Sequence, residues 1–203
     1  MILAYHAIFS AYGFWLPNDP RGSWSDFVRS WELLRFGHAT KVTTRHSVAR
    51  KDHDIHRRRR AKAALEYPPV IFTGVQARAI GRGFAAAVAE GRYVIHACSI
   101  LPEHVHLVIA RHERRVERIV GHLKGRATRR LTSEGRHPLA AHRRRDGSVP
   151  SPWGRRGWNV FLDDVEGIRR AVRYVEDNPP KEGKAPQRWG FVTAYRDRRD
   201  SYR

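Results

Sequence analysis

His104 and His106 stand one residue apart in the stretch Ser99 to Ile109, SILPEHVHLVI. A strand alternates its side chains between two faces, so this spacing sends both imidazoles to one side and Val105 and Leu107 to the other. Two neutral imidazoles on one rigid strand are half of a metal site. Further along, Arg173 to Pro180 (RYVEDNPP) sets a tyrosine, Tyr174, and an amide, Asn178, four residues apart, one helical turn. Phosphodiester chemistry needs a nucleophile, charge stabilisation at the non-bridging oxygens and a way to hold the strand. The histidine pair can hold a divalent ion that polarises a phosphate. Tyr174 supplies a phenol whose ordinary pKa of about 10 falls when a cation is close. Asn178 presents an amide oxygen beside the phenol and could complete the metal shell.

Each of these residues also has a structural reading. An HxH pair can be two hydrogen-bonded surface histidines, a tyrosine late in a helix can be amphipathic packing, and Asn before Pro-Pro can be a helix C-terminal residue. His6, His96 and His122 read as structural or phosphate-facing. The tryptophans Trp15, Trp24 and Trp31 read as a small core, with stacking on bases as the alternative.

The charge balance narrows the partners. The 203 residues carry 39 Lys and Arg against 20 Asp and Glu, a formal net charge of +19. Such a field attracts polyanions, nucleic acid first. No apolar run reaches the roughly 18 residues of a membrane span and no lipidation motif is present, so a membrane partner is not expected. The chain starts directly in a strand-like pattern with no visible signal peptide, and its single cysteine, Cys98, reads as a buried apolar residue. A cytoplasmic, nucleoid-associated protein is therefore expected.

The elements that must position the chemistry follow from periodicity. Ile2 to Tyr12 reads as a strand. Residues 13–69 read as an insertion with short helices, containing the turn-like Pro17 to Gly22 and the block Arg57, Arg58, Arg59, Arg60. Thr73 to Ala89 reads as an amphipathic helix ended by Gly91, Tyr93 to Ile100 as a strand, Pro102-Glu103 as a tight turn, and His104 to Ala110 as the hairpin partner. Val116, Ile119, Val120, Leu123, Ala127 and Leu131 mark a second helix. Its other faces carry Lys124, Arg126, Arg129 and Arg130, which with the arginine block are the candidate DNA contacts. Residues 132–152 read as a flexible basic loop and 157–162 as a strand. A third helix, capped by Asp163 or Asp164, is expected to stop at Asn178 because Pro179-Pro180 forbids continuation. Residues 181–203 form a basic tail. This order predicts an α+β domain, a ferredoxin-like antiparallel sheet with helices on one face and the histidine strand on the open face.

With these residues in place, the chain resembles the single-tyrosine HUH transposases, most closely the REP-associated tyrosine transposase branch. Cys98 to Leu107 is similar to the family's strand-turn-strand HUH motif, and Glu117 to Arg130 to the helix that follows. Trp153 to Trp158 and then Tyr174 to Gly183 resemble the closing Trp-containing strand and the Tyr-Ile-x-x-Asn-Pro-x-x-x-Gly helix end. Tyr5 to Phe9 is a weaker match to the first strand. The resemblance covers residues 1–12 and 72–195, so that 1–203 is expected to be one HUH domain.

The resemblance implies that His104 and His106 bind Mg²⁺ or Mn²⁺, with Asn178 as third ligand. It implies that Tyr174 attacks a single-stranded DNA phosphate, leaving a 5′-phosphotyrosine and a free 3′-hydroxyl, on hairpin substrates. A homodimer fits that chemistry, with the tyrosine acting within one chain or across two. Two other classes fit the residues: a non-catalytic protein that binds hairpin DNA or RNA, and an HxH metal-dependent hydrolase. The hydrolase would need further acidic or histidine ligands, which residues 107–111 do not offer.

Overall fold

Thr73 opens the first long helix with a reciprocal cap. Its backbone N–H donates to Gln76 Oε1 (2.9 Å) and its Oγ1 accepts from the Gln76 N–H (3.3 Å), satisfying groups a helix start leaves unpaired. In the computed structural model, residues 1–14, 16, 31–37 and 54–196 are described. They form β1 (Ala4–Ala11), α1 (Trp31–Leu34), α2 (Ile55–Ala63), α3 (Gly74–Gly91), β2 (Ile95–Ile100), β3 (His104–Ala110), α4 (Val116–Ser133), β4 (Trp153–Leu162) and α5 (Val165–Lys181). Trp15, Trp24, the Pro17 to Gly22 turn, the side chain of Trp31 and tail residues 197–203 lie outside the described residues.

The four strands form one antiparallel sheet in the order β2-β3-β1-β4. This is the arrangement that two interleaved β-α-β units give, and the α+β class is as the sequence predicts. The expected Pro102-Glu103 turn joins β2 to β3, closed by Leu101 N–H donating to His104 O at 2.9 Å.

One face of the sheet carries Phe9, Ile100, Val105, Leu107 and Ile109, fully or nearly fully buried beneath Ile80 and Phe84 of α3 and Ile119 and Leu123 of α4. Each such side chain stabilises the fold by about 1.5–3 kcal/mol before ordering costs. α3 and α4 approach so closely that a Cβ on Gly83 would lie 2.5 Å from Ala127 Cα. The expected alternation in β3 is therefore realised, with Val105 and Leu107 in this core.

The opposite face differs from the open surface expected of it. Ile168, Ala171 and Val175 of α5 pack onto Ala4, Ala97, Val108 and Leu162, so that α5 roofs part of the histidine face. Of the two candidate caps, Asp164 is the one used, accepting from the Gly167 N–H at 2.6 Å.

A second difference is where α5 ends. It runs through Pro179 and Pro180 to Lys181 instead of stopping at Asn178. A proline removes a donor and crowds the turn before it, but here the stop is set later. Gly183 (φ +68°) takes the left-handed conformation, its N–H donating to Pro180 O (2.9 Å) while Lys184 N–H donates to Pro179 O (2.9 Å). This pair of bonds is the glycine-terminated helix end.

The segment after α4 is irregular yet anchored, since Leu139 and His137 are buried at 2% and 6% exposure. Beyond α5 the chain runs along the free edge of β2. The Gln187 amide donates to Ile100 O and accepts from Ile100 N–H, both at 2.8 Å, and Val192 bridges to Ile95. Among the described residues no helix is long and apolar enough to cross a membrane.

Candidate active site

The β1–β3 pairing sets Ile8 opposite His106, Val108 opposite His6 and Ser10 opposite His104. Because His6, Ile8 and Ser10 share one face of β1, this register brings a third imidazole to the pair expected from the HxH spacing. His6 Nε2 lies 3.0 Å from His106 Nδ1, a hydrogen bond in which one nitrogen carries the proton. When His106 Nδ1 is the donor, its Nε2 keeps a free lone pair for a cation.

Both rings are enclosed. Burial holds the His6 pKa down at about 4, and His106 is pushed well below the ordinary histidine value by burial first and then by His104 and His6. Near neutral pH both are uncharged, the form that ligates metals. His104, at the start of β3, is stacked against Phe14 (ring centres 5.2 Å apart, planes 16° apart) and lies edge-on to His106 at 4.9 Å.

α5 crosses this face. Tyr174 sets its ring edge-on to His6 and His106 at 5.7 and 5.6 Å, and remains 47% exposed. The phenol pKa is raised, first by burial and then by the Glu182 charge. The Lys181 ammonium lies 5.5 Å from the centre of the Tyr174 ring.

Asn178, one turn on, is buried, and its Nδ2 has no hydrogen-bond partner in the structure. Amide nitrogen and oxygen exchange on a half-turn of the group, so the same position can offer oxygen to a cation. Ser99, opposite His106 in the β2–β3 register, is fully buried with an unpartnered Oγ. Orphaned buried polar atoms of this kind are uncommon and point to a missing partner.

Two neutral imidazoles with a buried amide are a donor set that fits a divalent cation. Among the described residues no three His, Cys, Asp or Glu side chains form a preformed metal cage. The candidate set differs from such a cage in drawing on the Asn178 amide.

The expected DNA contacts are dispersed. Lys124 does not face solvent: its Nζ donates to Gly154 O at 3.0 Å and lies 4.8 Å from the centre of the Phe9 ring, and burial lowers its pKa to about 8. Arg126 pairs with Glu90 (2.6 Å) and Arg130 lies 3.8 Å from Glu134, while Arg129 is exposed. These residues belong to α4, which packs against the sheet face opposite the histidines. Arg57, Arg58, Arg59 and Arg60 lie on α2, which Asp54 caps by accepting from the Arg57 N–H at 2.8 Å. Lys62 of α2 approaches Glu103 to 4.0 Å, which brings this helix to the turn immediately before His104.

Two site residues escape a reading by local spacing. His6 joins only through the β1–β3 register, and the ferredoxin-like order was the signal that could have found it. Glu182, whose Oε1 lies 3.8 Å from His104 Nε2, follows the two prolines whose usual effect is to end a helix.

No family model matches the sequence, and no curated protein matches it. Among solved structures, the chain is similar to a REP-associated tyrosine transposase bound to a REP hairpin. The two share 12% identity over 90% of this chain and 70% of that one, with a TM-score of 0.47. It is also similar to a candidate transposase from Deinococcus radiodurans R1, at 14% identity over 87% of this chain and 91% of that one, with a TM-score of 0.38. At such low identity the roles of individual residues rest on the site's own geometry.

Proposed function

We propose that the protein is a metal-assisted, single-tyrosine DNA strand transferase acting on single-stranded or hairpin DNA. The observation that carries this reading is the placement of the Tyr174 ring against the His6–His106 pair, with Asn178 one turn further along the same helix.

Tyr174 Oη attacks the scissile phosphorus. An O–P bond forms to the tyrosine, the P–O3′ bond breaks, the phenolic proton passes to water, and the departing 3′ oxygen takes a proton. The products are a 5′-phosphotyrosine and a free 3′-hydroxyl. Attack by a 3′-hydroxyl on that phosphotyrosine reverses the step and rejoins a strand. His104, His106 and Asn178 would hold Mg²⁺ or Mn²⁺, whose chemistry when bound is Lewis-acid polarisation of the phosphate. His6 holds the His106 ring in place. Lys62 brings α2 to the turn before His104, and the arginines of that helix would hold the phosphates of an incoming strand.

The test is incubation of the protein with labelled hairpin DNA and Mn²⁺, followed by denaturing electrophoresis. The reading expects a covalent protein–DNA band that Tyr174→Phe, His104→Ala and His106→Ala each lack. Tight hairpin binding without any covalent band would favour a binding-only protein.

A further inference from the structure

Three consecutive arginines, Arg143, Arg144 and Arg145, follow α4 on a tight turn that the chemistry at Tyr174 does not use. The Gly147 N–H donates to Arg144 O at 3.0 Å and the Arg144 N–H to Ser148 O at 2.9 Å, closing the turn. Gly147 takes the left-handed conformation (φ +79°). The turn is tied to the fold from beneath, where the His142 N–H donates to the carbonyl of buried Leu139 at 2.9 Å. All three arginines are exposed.

The acids beside Arg144 are engaged elsewhere. Glu66 accepts from Tyr67 Oη at 2.5 Å and Asp146 from the Ser148 N–H at 2.9 Å. Among the described residues no carboxylate forms an ion pair with Arg143, Arg144 or Arg145, whereas Arg126 and Arg130 of α4 have Glu90 and Glu134.

Tyr67 fixes where these charges sit. Arg144 hydrogen-bonds to its side chain, and its ring centre lies 6.1 Å from that of Tyr12. Tyr12 comes two residues after Ser10, the partner of His104 across β1 and β3. Tyr67 also follows Ala63, the last residue of α2, by four positions. The turn and the arginine helix therefore meet at the His104 end of the sheet. Tyr174, over His6 and His106, is about 15–20 Å away along β1 at roughly 3.3 Å per residue. That distance spans about five nucleotides of a duplex strand.

The turn offers guanidinium groups with His142 as its one ring, so it suits phosphates rather than stacked bases. A duplex carries one charge per about 1.7 Å of its axis, twice the density of either strand, and is the better partner for such a surface. We propose that the turn bearing Arg143, Arg144 and Arg145 is a phosphate-binding arm that grips the duplex stem of a hairpin while its single-stranded flank reaches Tyr174. The inference rests on the reading of the site as one that acts on hairpin DNA.

The test is fluorescence anisotropy over a salt series with the full chain and two probes, a hairpin carrying a single-stranded flank and the flank strand alone. Arg145→Gln leaves every hydrogen bond of the turn in place and should lower the salt slope for the hairpin by about one. Arg143→Gln combined with Arg145→Gln should lower it by about two and weaken hairpin binding about tenfold at moderate salt. Affinity for the flank strand should stay at the wild-type value in both variants. Unchanged hairpin affinity in both variants would overturn the arm, and equal losses on the two probes would overturn its assignment to the stem. The covalent band formed by the wild type reports separately on the strand-transferase reading. Its presence beside unchanged hairpin affinity in the variants sinks the arm alone, and its absence beside the expected losses sinks the strand-transferase reading alone. A wild type that does not bind the hairpin overturns both.

Discussion

Acidifying the metal-free protein should cost it about 3 kcal/mol of stability through His6 alone. The folded chain buries this imidazole to 9% exposure and lowers its pKa from 6.5 to about 4. The unfolded chain keeps the ordinary value. Between those two values the unfolded state binds more protons, so stability falls as pH falls. The loss is absent above pH 6.5 and complete below about pH 4. One pKa unit corresponds to about 1.4 kcal/mol, and the shift of His6 converts to roughly 3 kcal/mol, a large part of the 5–15 kcal/mol typical of a domain. His106, lowered for the same first reason, adds loss of the same sign.

His6→Gln isolates the first contribution, because glutamine keeps a polar group within reach of His106 Nδ1 but does not titrate. Urea denaturation in EDTA at about pH 7.5 and about pH 4.5 measures most of it, with the wild type losing more stability than the variant by about 2.5 kcal/mol. Parallel losses in the two proteins would show that His6 is not buried in its neutral form, and the enclosed His6–His106 pair would be wrong.

Affinity for hairpin DNA should fall steeply from low to moderate salt, as binding by a chain of net charge +19 releases counterions. Arg59→Gln, on the exposed face of α2, should reduce the salt slope by about one, whereas Lys124→Met should leave it unchanged because that ammonium is already bound to Gly154 O. Fluorescence anisotropy over a salt series reads both, and an equal loss of slope in Lys124→Met would place its charge on the DNA. Gly83→Ala should destabilise the fold by about 1–3 kcal/mol, since the new methyl meets the Ala127 backbone and not a movable side chain. Chemical denaturation checks it, and an unchanged midpoint would mean that α3 and α4 are less closely packed than described.

How much of this could be read from the chain depends on whether a feature is set locally. β3 begins at His104 and ends at Ala110 as alternation and the Pro102-Glu103 turn predict, because both signals act within a few residues. The apolar stripe of α5 was visible, but which sheet face it covers is a matter of topology. Periodicity alone could not show that it would roof the histidines. His6 looked like an isolated histidine because its partner is 100 residues away in sequence. Lys124 sits among the basic residues of an amphipathic helix, and only the approach of β4 turns its ammonium inward. Glu182 was hidden by the prolines, since their usual effect outweighed Gly183, the residue that sets the helix end.

The most direct test of the central claim is a peptide map of the covalent adduct formed by wild-type protein, hairpin DNA and Mn²⁺. After nuclease and protease digestion, mass spectrometry should find the remaining nucleotide on the peptide containing Tyr174, joined through a 5′-phosphate, and Tyr174→Phe should yield no modified peptide. Nucleotide on Tyr93, Tyr195, Ser99 or any other residue would contradict the assignment of the nucleophile. The absence of any adduct from wild-type protein that binds both hairpin and Mn²⁺ would contradict the strand-transferase account itself.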